Sequence, residues 1–324
     1  MGFAALTMNA DIGLSAAVYG WGAGLFFIGY CLFEVPSNLL MAKVGARRWI
    51  ARILFTWGLI ATCMALVQGP KSFLIMRFLL GVAEAGFFPA VILYLTYWFP
   101  VRYRARIISI FMLSIPISLA IGAPVSTALL QLDGALGLKG WQWLFLIEGI
   151  PGVLLFGVVL KYLPDSPKQA SWLSDEERQW LMSELDKDAK AHPVALDEKS
   201  SLWKVFCSPS ILALCMIYFC ATAANIGLSM FLPQIIKQQG FSGMDIGWIT
   251  AIPYVVGCIG MVTIGFLSDR FQKRTAFVII SLLFIAGGLG TAGWLTGSNM
   301  AIIAMCVATV GIMGAKGPFW PLPA

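Results

Sequence analysis

The chain has 324 residues, of which 59% are hydrophobic and 12% are charged, and its mean hydropathy is +0.83. This much continuous apolar surface excludes a soluble fold. The formal net charge of +6 at pH 7 lies mainly in short connections between apolar segments, where it indicates membrane topology and not nucleic-acid binding.

Nine apolar segments are each near the roughly 20 residues that span the hydrocarbon core of a bilayer. Backbone polar groups in lipid must be bonded within a helix or a closed barrel, and these segments lack the alternation of barrel strands. We therefore predict an all-α polytopic membrane protein. In chain order, the predicted spans are Ala16–Met41, Ile50–Val67, Phe73–Phe99, Ile107–Leu130, Trp141–Leu163, Ile211–Ile236, Ile246–Leu267, Ala276–Leu295 and Met300–Leu322.

Clusters of Lys and Arg occur at alternate connections, and such clusters accumulate on the cytoplasmic side of membrane proteins. They fall at 43–52, 102–106 and 270–274, whereas the opposite connections carry single lysines. We predict that these loops and the long 164–207 stretch are cytoplasmic. The expected location is the cell membrane, as a multi-pass protein of the bacterial inner membrane.

The 164–207 stretch is the one extended polar segment of the sequence. Ser174 and Glu177 match a capping box, which predicts a helix that continues to about Ala191. Apolar residues recur at helical spacing here, Trp172 and Trp180 among them, so we expect the helix to lie along the membrane surface. Binding of a partner is the alternative.

Few residues suit catalysis or metal binding. The seven cysteines lie in or beside apolar spans without the pair spacing of a metal site, and the single histidine, His192, lies in the polar segment. The sequence shows no nucleophile with a base, no metal constellation and no Walker-type phosphate loop. It therefore predicts no enzyme, no metal and no cofactor.

Two segments in the first half of the chain each have a similar segment in the second half, at the same spacing along the sequence. Leu14–Gly20 corresponds to Phe241–Gly247, and Lys43–Arg48 corresponds to Arg270–Arg274. Such duplication is typical of transporters built from repeated helix bundles. The predicted domains are an N-terminal bundle at 1–163, a cytoplasmic linker with an interfacial helix at 164–207, and a C-terminal bundle at 208–324.

The later loop, Gly265–Arg274, resembles the motif Gly-x-x-x-Asp-Arg-x-Gly-Arg-Arg/Lys of the major facilitator superfamily. The first-half copy is degenerate, because Asn38 and Ala42 replace its Gly and Asp. The resemblance implies a cytoplasmic gate, in which a helix-end carboxylate and guanidinium groups lock one conformation and release it in another. The alternative is that these charges only determine the orientation of the helices in the membrane. The candidate gating residues are Gly265, Asp269, Arg270, Gly45, Arg47 and Glu34.

A narrower resemblance rests on Arg77–Pro89, which is similar to the fourth-helix signature of the anion:cation symporter family. Gly140–Pro151, Leu163–Pro167 and Gly317–Trp320 also resemble its bacterial members for tartrate, hydroxyphenylacetate, phthalate and sugar acids. Family members have twelve helices, so the resemblance implies helices two to ten and a stub of the first. We accordingly expect a chain truncated at both ends.

Arg77 and Glu84 are charges within one predicted span, seven residues apart and therefore on one face of its helix. A charge at the centre of a membrane helix costs roughly 2.5 to 3.5 kcal/mol, so both should face a wet cavity or each other. A substrate anion that competes for the guanidinium would let Glu84 take a proton. The resemblance likewise implies proton coupling at Glu84 and anion binding at Arg77. A fixed Arg–Glu clamp is the structural alternative.

Other polar residues within the spans are candidates for the substrate site. Tyr30, Asn225 and Tyr254 suit a polar ligand, although packing or hydrogen bonds between helices explain such residues as well. Lys316 is a third intramembrane charge, close to Trp320, where a broken helix would expose its ammonium to a carboxylate. A lysine that extends to the membrane interface is the alternative.

These observations predict a secondary active transporter that carries a small organic anion together with protons by alternating access. The anion would be a mono- or dicarboxylate, a sugar acid or an aromatic acid. The expected partners are this anion, the proton and the lipid bilayer, without nucleic acid, and we expect a monomer. A drug/proton antiporter, a neutral sugar symporter and a non-functional fragment are the alternatives.

Overall fold

The computed structural model of the chain describes residues 1–191, 208–295 and 298–319. Within these ranges every regular element is helical and no strand occurs, so the all-α prediction is confirmed. Numbered in chain order, the α-helices are α1 (Ala5–Asp11), α2 (Ala16–Val44), α3 (Ala46–Cys63), α4 (Pro70–Glu84), α5 (Phe87–Trp98), α6 (Val101–Leu130), α7 (Gly140–Tyr162), α8 (Asp175–Ala191), α9 (Pro209–Gln238), α10 (Met244–Phe271), α11 (Arg274–Trp294), α12 (Met300–Gly314) and α13 (Lys316–Phe319).

Nine helical stretches in the described residues are long and apolar enough to cross a bilayer. They correspond one for one to the nine predicted spans. Their ends differ by a few residues because hydropathy does not mark the first and last turns of a helix. The nine stretches are Ala16–Val44, Ala46–Leu66, Pro70–Trp98, Val101–Leu130, Gly140–Tyr162, Pro209–Gln238, Met244–Phe271, Arg274–Trp294 and Met300–Phe319.

The spanning helices present large apolar side chains on their outer faces. Trp21, Leu154, Phe219 and Trp248 are all exposed. Exposed apolar area on this scale is unfavourable in water and favourable in lipid, where the helical backbone already satisfies its own hydrogen bonds. An apolar outer surface of this kind is suited to lipid.

One compact unit comprises residues 7–108 and the described residues from 132 to 191. Within it, α2 packs against α4, and α3 packs against α7. Ile53, Phe73 and Leu144 are fully buried between these helices. This unit holds the predicted residues of the first half of the chain, including Arg77 and Glu84.

A second compact unit comprises residues 1–6, residues 109–131 and the described residues from 208 onward. Within it, α10 and α11 both pack against α12. Tyr254, Thr309 and Ile312 are buried in this unit. The predicted bundles at 1–163 and 208–324 stay a prediction.

The third span is broken, which the sequence analysis did not anticipate. Its first helix, α4, ends at Glu84, and α5 begins at Phe87. Gly86, between them, has φ 84°, in the left-handed region that favours glycine. Pro89 stands in the first turn of α5, where a missing N–H costs no helical hydrogen bond. The span predicted at Phe73–Phe99 is present, but it consists of two helices, and hydropathy does not register a break of two residues.

The predicted linker helix is confirmed as α8. The amide of Ser174 donates to Glu177 Oε2 at 3.0 Å, and the amide of Glu177 donates to Ser174 Oγ at 3.2 Å. The bond from the Ser174 amide is the main reason why the pKa of the Glu177 carboxyl lies below its ordinary value. The position of α8 on the membrane surface stays a prediction, and His192 lies outside the described residues.

Candidate functional site

Arg77 lies midway along α4, and only 5% of it is exposed. Its Nε donates to the carbonyl oxygen of Gly22 in α2 at 3.0 Å. The guanidinium carbon lies 4.7 Å from the centre of the Phe26 ring, which is a cation–π contact. Within the described part of the chain, no carboxylate forms an ion pair with this guanidinium within 4.0 Å.

The close approach of α2 and α4 sets this geometry. Gly81 lies one turn after Arg77, and a Cβ at Gly81 would overlap the carbonyl oxygen of Phe26. Small residues let membrane helices approach backbone to backbone. The short distance between the helices brings the Gly22 carbonyl within reach of the Arg77 side chain.

Glu84 is the last residue of α4 and is half-buried. It lies two turns beyond Arg77, where the two charges interact electrostatically without forming an ion pair within 4.0 Å. The direct clamp considered from the sequence is thus not formed in the described geometry. The guanidinium of Arg77 and the carboxyl of Glu84 therefore lie on one helix without forming an ion pair.

Two side chains that sequence reasoning missed hold the chain directly after Glu84. Ser37 Oγ in α2 donates to the carbonyl oxygen of Ala85 at 2.7 Å. The indole Nε1 of Trp49 in α3 donates to Ser37 Oγ at 2.9 Å. These contacts join residues 48 and 12 positions apart, and no hydropathy pattern or motif in the sequence signals them.

The remaining α2 candidates lie along the same helix. The Tyr30 ring centre is 6.2 Å from that of Phe26, the ring that also contacts the Arg77 guanidinium. Glu34 is half-buried one turn further along. Tyr19, which sequence reasoning missed, is fully buried and stacks on Phe73 with ring centres 6.3 Å apart.

The second-half candidates belong to the other compact unit. Asn225 in α9 has a buried Oδ1 without a hydrogen-bond partner among the described residues. Tyr254 in α10 is 3% exposed. Lys316 is half-buried at the start of α13, and Trp320 lies outside the described residues. Their roles in substrate binding stay predictions.

The turn between α2 and α3 obtains an acidic partner from a distant part of the chain. Gly45 has φ 96° in this turn, and the backbone N–H of Arg47 donates to Asp165 Oδ1 at 3.0 Å. Asp165 follows α7 and caps the N-terminus of α3, where a negative charge is stabilised by the helix dipole. The sequence analysis noted that the first-half motif lacks its Asp at Ala42 but did not predict that Asp165 would serve this turn.

The second-half motif ends α10 with both of its charges exposed. Asp269 and Arg270 are solvent-accessible and form no ion pair with the described residues. The side-chain amide of Gln272 donates to the carbonyl oxygen of Asp269 at 2.6 Å. Gly265 lies inside α10, and its Cα would be 3.7 Å from a Cβ placed on Gly317. The gating role of this motif stays a prediction.

The nine apolar spans of the described residues, with a buried guanidinium that has no carboxylate ion-pair partner inside one of them, are typical of a multi-pass membrane transporter. Among the described residues, no group of three or more His, Cys, Asp or Glu side chains is arranged to hold a metal ion. The chain belongs to the Major Facilitator Superfamily, whose family model matches residues 1–324.

Individual relatives agree with this assignment. A protein of Agrobacterium vitis named as a tartrate transporter is 47% identical over 323 residues, which are 100% of this chain and 71% of the relative. A quinolone resistance transporter of Acinetobacter baumannii is 46% identical over 332 residues, covering 100% of this chain and 74% of the relative. The xylose transporter XylE from E. coli, in a partially occluded inward-open conformation, is similar over 98% of this chain and 80% of its own, with a TM-score of 0.73. At 18% identity the likeness to XylE shows the fold alone.

Proposed function

We propose that this transporter carries a small organic anion, such as a mono- or dicarboxylate, a sugar acid or an aromatic acid, in symport with protons by alternating access. The observation that supports it most is Arg77, a guanidinium buried inside a span without a carboxylate ion-pair partner among the described residues. The name of the Agrobacterium vitis relative, 47% identical, is consistent with a carboxylate substrate.

The energetics of Arg77 favour an anionic ligand. An arginine at the centre of a membrane helix costs roughly 2.5 to 3.5 kcal/mol on insertion scales. One backbone hydrogen bond and one aromatic ring offset part of this cost but leave the positive charge unneutralised. A carboxylate could accept two parallel hydrogen bonds from the guanidinium and neutralise its charge.

Coupling to protons follows from the electrostatic interaction between Arg77 and Glu84. An empty guanidinium stabilises the ionised form of Glu84. A bound carboxylate neutralises that guanidinium, so a proton on Glu84 becomes more favourable. Substrate and proton therefore bind together and leave together, and the coupling is reciprocal.

The other candidates extend this proposal. Tyr30, Asn225, Tyr254, Lys316 and Trp320 would contact the substrate. The cytoplasmic gate would use Asp269, Arg270, Gly265, Gly45, Arg47 and Glu34. The protein would act as a monomer in the bacterial inner membrane.

A drug/proton antiporter is the second candidate, because a quinolone resistance transporter is 46% identical to this chain. The two functions move protons in opposite directions. Addition of a symport substrate outside a vesicle acidifies the interior, whereas addition of an antiport substrate raises the internal pH.

The test is to reconstitute the chain in liposomes that enclose a pH-sensitive dye and to add tartrate, xylose or a fluoroquinolone. We expect tartrate or another carboxylate to acidify the interior, and Glu84→Gln to abolish the signal. Glu148→Gln, the same change at an exposed position of α7, is the matched control and should retain it. Internal alkalinisation by the fluoroquinolone alone would favour antiport, and no response to any carboxylate would refute the proposal.

A further inference from the structure

The break in the third span comes immediately after the carboxyl to which the proposed function assigns the proton. α4 ends at Glu84, Ala85 has ψ 128°, outside the helical region, and Gly86 is left-handed. The break therefore places a helix C-terminus inside the membrane at Glu84. Carbonyl groups at such an end have no helical donors, and in lipid they need others.

The Ala85 carbonyl illustrates this need. In a continuous helix it would accept a bond from the residue four positions later, which is Pro89 and has no N–H. Ser37 Oγ supplies the missing donor at 2.7 Å, in a buried position where Ser37 is 5% exposed. A hydroxyl from α2 thus replaces a backbone bond that the sequence cannot make.

Ser37 is itself fixed by a second bond and by close packing. The indole of Trp49 donates to Ser37 Oγ at 2.9 Å, which directs the hydroxyl proton toward Ala85. A Cβ at Gly86 would overlap Ser37 Oγ, so only glycine allows this approach. Three helices, α2, α3 and α4, therefore meet at the break.

The position of this helix end matters for the adjacent carboxyl. Partial negative charge collects on the free carbonyl groups of a helix C-terminus within its last turn, and Glu84 occupies that turn. Its proton affinity therefore depends on where those carbonyls point. Donation from Ser37 fixes the Ala85 carbonyl and neutralises part of its charge.

We propose that Ser37, held by Trp49, is a positioning residue that fixes the helix end at Glu84 and thereby sets the proton affinity of this carboxyl. The inference rests on the proposed function for its role in transport. Its structural part, an effect of Ser37 on the titration of Glu84, is separable from transport.

Arg77 is the described charge that acts on Glu84. The other ionisable groups near α4 belong to α4 itself, to the helices packed on it and to α5. None of them is changed in the variants compared below, so their effect on Glu84 is the same in each. In the described residues they are Tyr19, Cys31, Tyr30, Glu34 and Lys43 of α2, Arg47, Arg48, Arg52 and Cys63 of α3, Lys71 of α4, and Tyr94 and Tyr97 of α5.

The test measures the protonated carboxyl of Glu84 by infrared spectroscopy on the full chain in liposomes as the pH is varied. The carbonyl band of Glu84 is identified by its loss in Glu84→Gln. We expect Ser37→Ala to raise the midpoint of this band by about one pH unit, a tenfold increase in proton affinity. The reason is that the Ala85 carbonyl then keeps its full partial negative charge next to Glu84. Trp49→Phe should move the midpoint the same way by less, and Ser37→Cys, with a weaker donor, should fall between wild type and Ser37→Ala.

Ser281→Ala is the matched control, because Ser281 is also buried and donates to a backbone carbonyl, that of Phe277 at 2.8 Å, far along the chain in α11. It should leave the midpoint unchanged. A midpoint that stays at the wild-type value in folded Ser37→Ala overturns the proposal. If that variant does not fold, an unchanged midpoint in both Trp49→Phe and Ser37→Cys overturns it equally. Carboxylate-driven proton uptake by the wild type is recorded in parallel, so loss of the proposed transport function would be visible independently of the infrared result.

Discussion

Replacement of Arg77 by Lys separates the shape of the guanidinium from its charge. Lysine keeps the positive charge but loses the planar group and the Nε–H donor. In the structure these make the bond to the Gly22 carbonyl at 3.0 Å and the contact with the Phe26 ring at 4.7 Å. Arg77→Lys therefore removes both known contacts and leaves a buried ammonium.

The expected magnitude follows from these two contacts. A hydrogen bond to a charged group contributes about 1.5 to 3 kcal/mol, and a desolvated cation–π contact contributes up to about 2 kcal/mol. The ammonium recovers part of this by bonding a nearby oxygen. We expect the free energy of unfolding to fall by about 2 kcal/mol, and carboxylate affinity to fall on the order of tenfold because two parallel hydrogen bonds become one.

Arg102→Lys is the matched control for this prediction. Arg102 also lies over an aromatic ring, 4.6 Å from the centre of Tyr103, but it is exposed to solvent. Its contact should contribute about 0.5 to 1 kcal/mol or less. The assays are unfolding of the purified protein in mixed micelles and titration with carboxylates followed by tryptophan fluorescence. Equal losses in Arg77→Lys and Arg102→Lys would refute the reasoning, because burial of Arg77 would then add nothing.

Three further predictions concern packing and capping. Gly81→Ala should lower the free energy of unfolding by about 1 to 3 kcal/mol, because the added methyl group overlaps α2. Gly122→Ala is the control and should leave the free energy of unfolding unchanged, because its added methyl group meets no atom within 4 Å. Unfolding in mixed micelles measures both variants. Ser174→Ala should raise the pKa of Glu177 part of the way toward its ordinary value, because the hydroxyl is lost while the backbone amide bond remains; NMR of labelled glutamate measures this pKa. The lowered pKa stabilises α8 at pH values above the ordinary carboxyl pKa, and this contribution is lost as the pH falls through the lowered value. Asp165→Ala should cost about 1 kcal/mol of unfolding free energy by uncapping α3, and unchanged stability would contradict its capping role.

Hydropathy and local motifs predicted the parts of the fold that depend on neighbouring residues. The nine spans follow from apolar runs, because a helix in lipid needs only its own backbone bonds and an apolar surface. The capping box at Ser174 and Glu177 likewise forms within one turn, so the start of α8 was predicted to within a residue. Arg77 and Glu84 stood out because charges inside apolar segments are costly.

Contacts between distant residues could not be predicted in this way. Gly86 and Pro89 were visible in the sequence, but a break also requires a donor for the Ala85 carbonyl, and that donor comes from Ser37 on another helix. Similarly, the absence of an Asp at Ala42 is visible, while the approach of Asp165 is a tertiary contact over 118 positions. In both cases the sequence shows a missing partner but not the residue that replaces it.

The two copies of the loop motif differ in what their acidic side chain does, and this difference bears on the proposed gate. Asp165 accepts a bond from the backbone of α3 inside its own compact unit, so a rigid-body motion of that unit would leave the bond intact. Asp269 is exposed at the end of α10 and forms no ion pair with the described residues. A gate must exchange partners between states, and a carboxylate already committed to a helix end cannot do so without uncapping that helix. The proposed gate therefore assigns the exchange of partners to Asp269, whereas Asp165 holds the first-half turn between α2 and α3.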